Sequence, residues 1–397
     1  MTIVGTLRNS LPPAMAAAMN KPEAKPWINA INAYTPGKAK SDDGRVLIKL
    51  SANENALGCS PDATAALVEA RSTLARYPDP ASNALREALG AHFELESDQI
   101  VCGTGSDELL NLIALGYAGP GDDMIDDRDG LSVYDIAARK TAANVVVAPD
   151  KDYGTDVDAL LALVNDRTRV IFIANPNNPT GTYCSDAEIE RLHPGLPSDC
   201  VLVLDQAYGE YLDSDGPAAF ELARRHENVL ITRTFSKIYG LAAERIGWAY
   251  GQPDLIATLN RIRAPFNVTS AGQAAAIAAL ADTEFVANSR AHNAQWRDWM
   301  ADEIAALSNH GLRAVPSWAN FLMVMFDGKC SAETAYKGLM DEGYIVRWLP
   351  GQGLADGLRM TIGTSQENRG LMTALRKVLE QHSRCCRSRG PRSLVWG

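Results

Sequence analysis

The sequence predicts a large doubly wound α/β domain with a mainly parallel sheet, joined to a smaller α+β domain. Three observations carry this: apolar runs of strand length that alternate with helical stripes, chemically strong polar residues placed just after those runs, and a change of pattern near residue 275. The runs are 145–148, 170–174, 201–204, 229–232 and 246–250, each bounded as a buried strand should be. Between such runs, 83–94 repeats Leu85, Leu89 and Phe93 every four residues, and 156–165 sets Val157, Leu160, Leu161 and Val164 on one face. Those stripes are core faces. After residue 275 a long helical stretch runs through Trp296, Trp299 and Ile304, and strand-like segments follow at 320–326 and 358–362.

The expected division is an N-terminal arm at 1–44, a large domain at 76–274, a small domain made of 45–75 with 275–383, and a flexible tail at 384–397. Prolines at 12, 13, 22, 26 and 36 deny the arm sustained periodicity, and the basic tail has no core pattern. A chain of 397 residues exceeds one ordinary core, so two domains sharing a cleft are expected. The net charge of -10 speaks against nucleic-acid binding. Seven cysteines without a Cys-x-x-Cys pair suit reduced thiols in a cytoplasm, and six scattered histidines give no metal-site spacing. The apolar stretch 14–19 is too short to span a bilayer, so no membrane association is expected.

The polar residues after the runs follow an order. Asn178 opens Asn178-Pro179-Thr180-Gly181, a tight turn in which a cis bond at Asn178-Pro179 is expected. Asp205 closes the run at 201–204, with Tyr208 three residues on, and Lys237 sits in Thr234-Phe235-Ser236-Lys237, eight residues before Arg245. Singly, each has a plain structural reading: a surface turn, a helix-surface ion pair. Together they lie where open α/β sheets keep their ligand crevice, at the carboxyl ends of strands. They also match the needs of pyridoxal phosphate, whose aldehyde wants an amine, ring nitrogen a carboxylate, phenolic oxygen hydrogen-bond donors, and phosphate a guanidinium with hydroxyls and helix-start amides.

On these residues the chain resembles the fold-type I, class I/II pyridoxal-phosphate aminotransferases, and among them is most similar to the histidinol-phosphate aminotransferases. The resemblance runs from about Leu47 to Lys377 and rests on Leu50-Ser51-Ala52-Asn53-Glu54-Asn55, Arg76-Tyr77-Pro78, Gly103-Thr104-Gly105-Ser106-Asp107-Glu108, the stretch 174–181, Thr234-Phe235-Ser236-Lys237, 240–247 and Leu358-Arg359-Met360-Thr361-Ile362-Gly363. It implies that Lys237 forms the Schiff base and moves the substrate proton, that Asp205 faces the ring nitrogen, and that Tyr208 and Asn178 donate to the phenolic oxygen. Thr234, Ser236 and Arg245, with the helix start at Ser106 and Asp107, match the phosphate cradle. Arg359 matches the arginine for the substrate's anionic group, Asn53 and Glu54 line the substrate side, and Tyr77 matches a tyrosine that reaches a neighbouring subunit, so a homodimer with shared sites is implied.

The implied reaction is amino transfer between histidinol phosphate and 2-oxoglutarate, giving imidazole-acetol phosphate and glutamate in histidine synthesis. Alternatives are an aminotransferase for phenylalanine, tyrosine or prephenate, a threonine-phosphate decarboxylase, and a non-enzymatic cofactor sensor, which would need a DNA-binding module that the arm does not offer. Two positions depart from the pattern. Leu131 stands where an aromatic ring usually stacks on the cofactor, a contact of about 0.5–1.5 kcal/mol. Met325 stands where some relatives have an arginine for the substrate phosphate; Arg347 is the replacement charge available.

Overall fold

The computed structural model describes residues 22–32, 44–127, 132–213 and 216–388. Seven strands form the large sheet: β1 (Ile100–Gly103), β2 (Asp123–Asp127), β3 (Asn144–Ala148), β4 (Thr168–Ala174), β5 (Val201–Asp205), β6 (Val229–Thr234) and β7 (Gly247–Gly251). Their order is β1-β7-β6-β5-β4-β2-β3. All neighbours are parallel except β7, which runs antiparallel to both β1 and β6. Alternate residues feed two cores. Ile171, Ile173, Leu202, Leu204 and Ile231 pack on one face, whereas Val170, Phe172, Val203, Leu230 and Ala249 pack on the other. Helices cover both faces, which is why the strands read as continuous apolar runs rather than as alternating ones.

The second sheet is antiparallel, ordered β8-β9-β11-β10 from β8 (Leu312–Ala314), β9 (Phe321–Phe326), β10 (Arg347–Leu349) and β11 (Leu354–Thr361). Leu322, Val324 and Phe326 turn to a core shared with Met300, Ile304, Leu339 and Leu375 from the covering helices. Phe321, Met323 and Met325 occupy the opposite face. The segment 45–75 is divided: Ile48–Lys49 pairs in parallel with Tyr344–Ile345 and Leu50 joins the smaller core, but the helix Pro61–Ala70 packs on Ser270–Ala281, with Ala63 in the larger core.

Helix Ser365–Ser388 carries regular structure five residues into the segment expected as a tail. The remainder of that segment, and residues 1–21 and 33–43 of the arm, lie beyond the described residues, as does Leu131. The cis bond is also elsewhere than expected: it joins Asn175 to Pro176, not Asn178 to Pro179. The chain leaves β4 at the first proline, where Asn175 bonds both ways to Cys184, its Nδ2 donating to the carbonyl and its Oδ1 accepting from the amide, each at 2.8 Å. Among the described residues no helix is long and apolar enough to cross a membrane.

Candidate active site

The carboxyl ends of β4, β5 and β6 open into a cleft of about 630 Å³ that is closed on its other side by β10, β11 and the segment 51–54. Asn178, Asp205, Tyr208, Thr234, Ser236, Lys237, Arg245, Ser106, Asp107, Asn53, Glu54 and Arg359 all line it.

Lys237 is presented by a turn whose apolar residues are locked inside. Phe235, Ile238 and Tyr239 are buried, so Ser236 and Lys237 face the cleft. Gly240 ends the turn at φ +69°, where a Cβ would lie 1.9 Å from the Gly58 carbonyl oxygen. The Lys237 Nζ stands 3.5 Å from the Ala52 carbonyl and 5.6 Å from the Tyr208 ring centre. The Tyr208 hydroxyl accepts from Asn53 Nδ2 at 2.8 Å, which leaves its own proton to donate elsewhere. Asn53 itself is fixed at φ +58° by Thr361, whose hydroxyl accepts from the Asn53 amide and donates to Asn53 Oδ1, both at 3.0 Å.

Asp205 is buried at the end of β5. Its Oδ2 accepts from Tyr134 at 2.7 Å and its Oδ1 from Thr232 at 2.9 Å. Burial pushes its carboxyl up to about 6, against the opposing pull of those hydroxyls and of Lys237. Tyr134 lies flat on Phe172, with ring centres 4.7 Å apart, so its hydroxyl is aimed by packing. Neither Tyr134 nor Thr232 stood out in the sequence as a partner of Asp205. The usable signal was Thr232 at the end of the β6 run, in cross-strand register with Asp205.

Arg245 adopts φ +54° and donates from Nη1 to Ser236 Oγ at 3.0 Å, with Nη2 3.4 Å from Asp107 Oδ2. The Thr234 hydroxyl accepts from the Ser236 amide at 3.1 Å. Helix Gly105–Tyr117 starts beside this group: a Cβ on Gly105, at φ +76°, would come within 2.6 Å of the Arg245 guanidinium. The Thr234 hydroxyl also donates to the Ile246 carbonyl at 3.3 Å, so a guanidinium, the Ser236 hydroxyl and a helix start are what converge as a phosphate requires.

On the small-sheet side, Arg359 donates from Nη1 to Asn178 Oδ1 at 2.6 Å and from Nη2 to the Ser51 carbonyl at 2.7 Å. Arg347, on β10, is its cross-strand partner and also lines the cleft. The register sets both side chains on one face of the sheet, so both cations border the cleft. Met325 does not line the cleft; it packs with Val315, Met323, Leu349 and Leu354, so the departure read at that position falls on a small core. Glu54 pairs with Lys49 at 2.8 Å and is half exposed. Tyr77 is outside this cleft, 82% exposed and stacked on Phe266 at 4.5 Å.

The donor set fits pyridoxal phosphate on structural grounds. A desolvated carboxylate held by neutral hydroxyls suits a cationic ring nitrogen, and the absence of a Cβ on Gly105 lets the Arg245 guanidinium lie against the helix start.

A sequence model of the aminotransferase class I and II family matches residues 45–375. The histidinol-phosphate aminotransferase of Sphingopyxis alaskensis is 59% identical over 359 residues, covering 89% of this chain and 97% of that protein. That of Zymomonas mobilis is 56% identical over 360 residues, covering 89% and 98%. The crystal structure of histidinol-phosphate aminotransferase from Sinorhizobium meliloti in complex with pyridoxal-5'-phosphate superposes with a TM-score of 0.84 at 29% identity, covering 91% of this chain and 99% of that one.

Proposed function

The chain belongs to the class I and II aminotransferase family, and from that premise we propose that it uses pyridoxal 5'-phosphate to exchange an amino group between L-histidinol phosphate and 2-oxoglutarate, giving imidazole-acetol phosphate and L-glutamate. The carrying observation is the opposed pair Arg347 and Arg359 in one cleft with Lys237 and Asp205. Histidinol phosphate has no carboxylate beside its amine but a phosphate one carbon further out, and two guanidiniums suit that dianion. Arg359 alone suffices for the α-carboxylate of glutamate, so one site can serve both half-reactions. The named activity of the two relatives above supports the same substrate.

When bound, the cofactor supplies an aldehyde that condenses with amines and a ring that draws electrons from the bond being broken. The protein's residues do the rest. Lys237 is the group for the aldehyde and, once displaced by the substrate amine, the base whose Nζ takes the proton from the substrate Cα and returns it to the cofactor carbon. Asp205 keeps the ring nitrogen protonated. Tyr208 and Asn178 donate to the phenolic oxygen and favour its anionic form, and Arg245, Ser236, Thr234 and the amides of Ser106 and Asp107 hold the phosphate. Asn53 holds the Tyr208 hydroxyl in place.

Tyr77 projects from its own subunit rather than into its own cleft, which supports a homodimer in which it reaches the partner's site. The division into large and small domains follows the two sheets, and the composition supports a cytoplasmic enzyme. A half-reaction screen tests the substrate: histidinol phosphate should bleach the yellow holoenzyme. Bleaching by phenylalanine or tyrosine alone would establish the aromatic alternative instead, and carbon dioxide release from threonine phosphate the decarboxylase.

A further inference from the structure

Asp127 ends β2 with its side chain buried, in a stretch whose sequence, Asp126-Asp127, gave no hint of a task. Its Oδ2 accepts from Asn177 Nδ2 at 3.0 Å and from the Thr155 hydroxyl at 2.9 Å, while its Oδ1 is buried without a hydrogen-bond partner among the described residues. Asn177 is the residue before Asn178. Its Oδ1 accepts from the Thr180 hydroxyl at 3.0 Å, its carbonyl from the Gly181 amide at 3.0 Å, and its amide donates to the Thr182 carbonyl at 2.8 Å. Both ends of the Asn177 side-chain amide are thus engaged: its nitrogen donates to Asp127 and its oxygen accepts from Thr180. One residue on, Asn178 accepts from Arg359 at 2.6 Å.

We propose that Asp127 is a positioning residue for the anion clamp of Asn178 and Arg359, acting through Asn177. This rests on the cleft being the cofactor and substrate site described above. A carboxyl at this depth costs stability: burial pushes it up to about 6, with Asp150 adding to the rise and Thr155 and Asn177 opposing it. What that cost secures is the backbone of the turn from which Asn178 reaches both the guanidinium and the phenolic oxygen. Without the acceptor, Asn177 Nδ2 is left buried and unsatisfied, and the turn relaxes to find water. Asn178 then shifts, Arg359 loses the contact that aims it, and the donation that lowers the imine pKa weakens.

The test compares Asp127→Ala, Asn177→Ala, their double mutant and Asp127→Asn as holoenzymes. Asp127→Ala should raise KM for histidinol phosphate about tenfold, with kcat within about threefold of wild type. It should also move the pH midpoint of the visible absorbance band upward by about one unit, the equivalent of one weakened hydrogen bond. Asn177→Ala cuts the same link from the turn and should do the same, so the test survives if Asp127→Ala does not fold; the double mutant should be no worse than either single one. Asp127→Asn keeps an acceptor oxygen and should return KM to within about twofold of wild type. A lower melting temperature with KM and the band midpoint unchanged would reduce Asp127 to a structural residue and overturn the proposal. A wild-type protein with no visible band would overturn the cleft reading, and this inference with it.

Discussion

Arg359 Nη1 meets Asn178 Oδ1 at 2.6 Å, joining the small sheet to the loop that leaves β4 of the large one. A guanidinium only donates, so the contact fixes the asparagine amide with its oxygen toward Arg359 and its nitrogen turned away. The residue proposed to read the substrate anion and the residue proposed to touch the cofactor therefore share one bond. On the proposed roles, an anion arriving at Arg359 would compete with Asn178 for the same guanidinium and so would couple substrate binding to the donor strength at the phenolic oxygen.

Arg359→Lys tests that coupling. Lysine keeps the charge but loses the fork that spans Asn178, the Ser51 carbonyl and an anion. The expected fall in kcat/KM for histidinol phosphate is on the order of a hundredfold, mostly in KM. Unchanged steady-state kinetics would remove Arg359 from substrate binding.

Asp205 gives a prediction in which stability and activity move oppositely. Burial holds its carboxyl at about 6 against 3.8 for an unperturbed group, so between those values the folded state keeps a proton the unfolded chain has lost. In cofactor-free protein its contribution to stability therefore falls as pH rises from about 4 to about 6 and stays low above, a loss of up to ~3 kcal/mol. Asp205→Asn should melt higher than wild type near neutral pH without cofactor, and the gap should close toward about pH 4. The same variant should lose several orders of magnitude in turnover. Equal melting at both pH values, or near-normal turnover, would contradict the role given to this carboxylate.

On the face away from Asp205's hydroxyl partners, Arg233 is wholly buried against the rings of Phe93 and Phe220, with Glu210 at 3.2 Å and Gln206 Oε1 at 2.8 Å. Removing one member of such a pair strands the other charge, so Arg233→Met should cost about 3–5 kcal/mol in chemical denaturation. A loss under about 1 kcal/mol would mean that water reaches Glu210.

Much of this was legible because burial on both faces makes the central strands apolar throughout. The five runs from 145 to 250 all became strands, and every residue named for the cofactor except Leu131, which is outside the described residues, lines one cleft. What escaped reading had physical causes. β2 is Asp-Met-Ile-Asp-Asp, a buried strand whose acids mask its hydrophobic signal; Asp123 is there because Asn144, Asn165 and Arg167 satisfy it. The Tyr134–Asp205 bond links positions 71 apart, and no local pattern specifies such a pair. Met325 was weighed as a substrate position because some relatives of the resembled family have an arginine there, but its side chain packs with Val315, Met323, Leu349 and Leu354.

Tyr77, exposed beside Phe266, predicts subunit complementation. Tyr77→Ala and Lys237→Ala proteins, each inactive or nearly so, should regain activity when unfolded and refolded together. A hybrid dimer has one site with Lys237 from one subunit and Tyr77 from the other, so about a quarter of all sites are restored. No regain on mixing would place Tyr77 outside the active site.

Borohydride reduction of the cofactor-loaded enzyme, followed by peptide mapping, bears most directly on the assignment of the cleft. The label should sit on Lys237 alone, and Lys237→Ala should lack both the visible band and the label. A label on any other lysine, or a band that survives the substitution, would contradict the account.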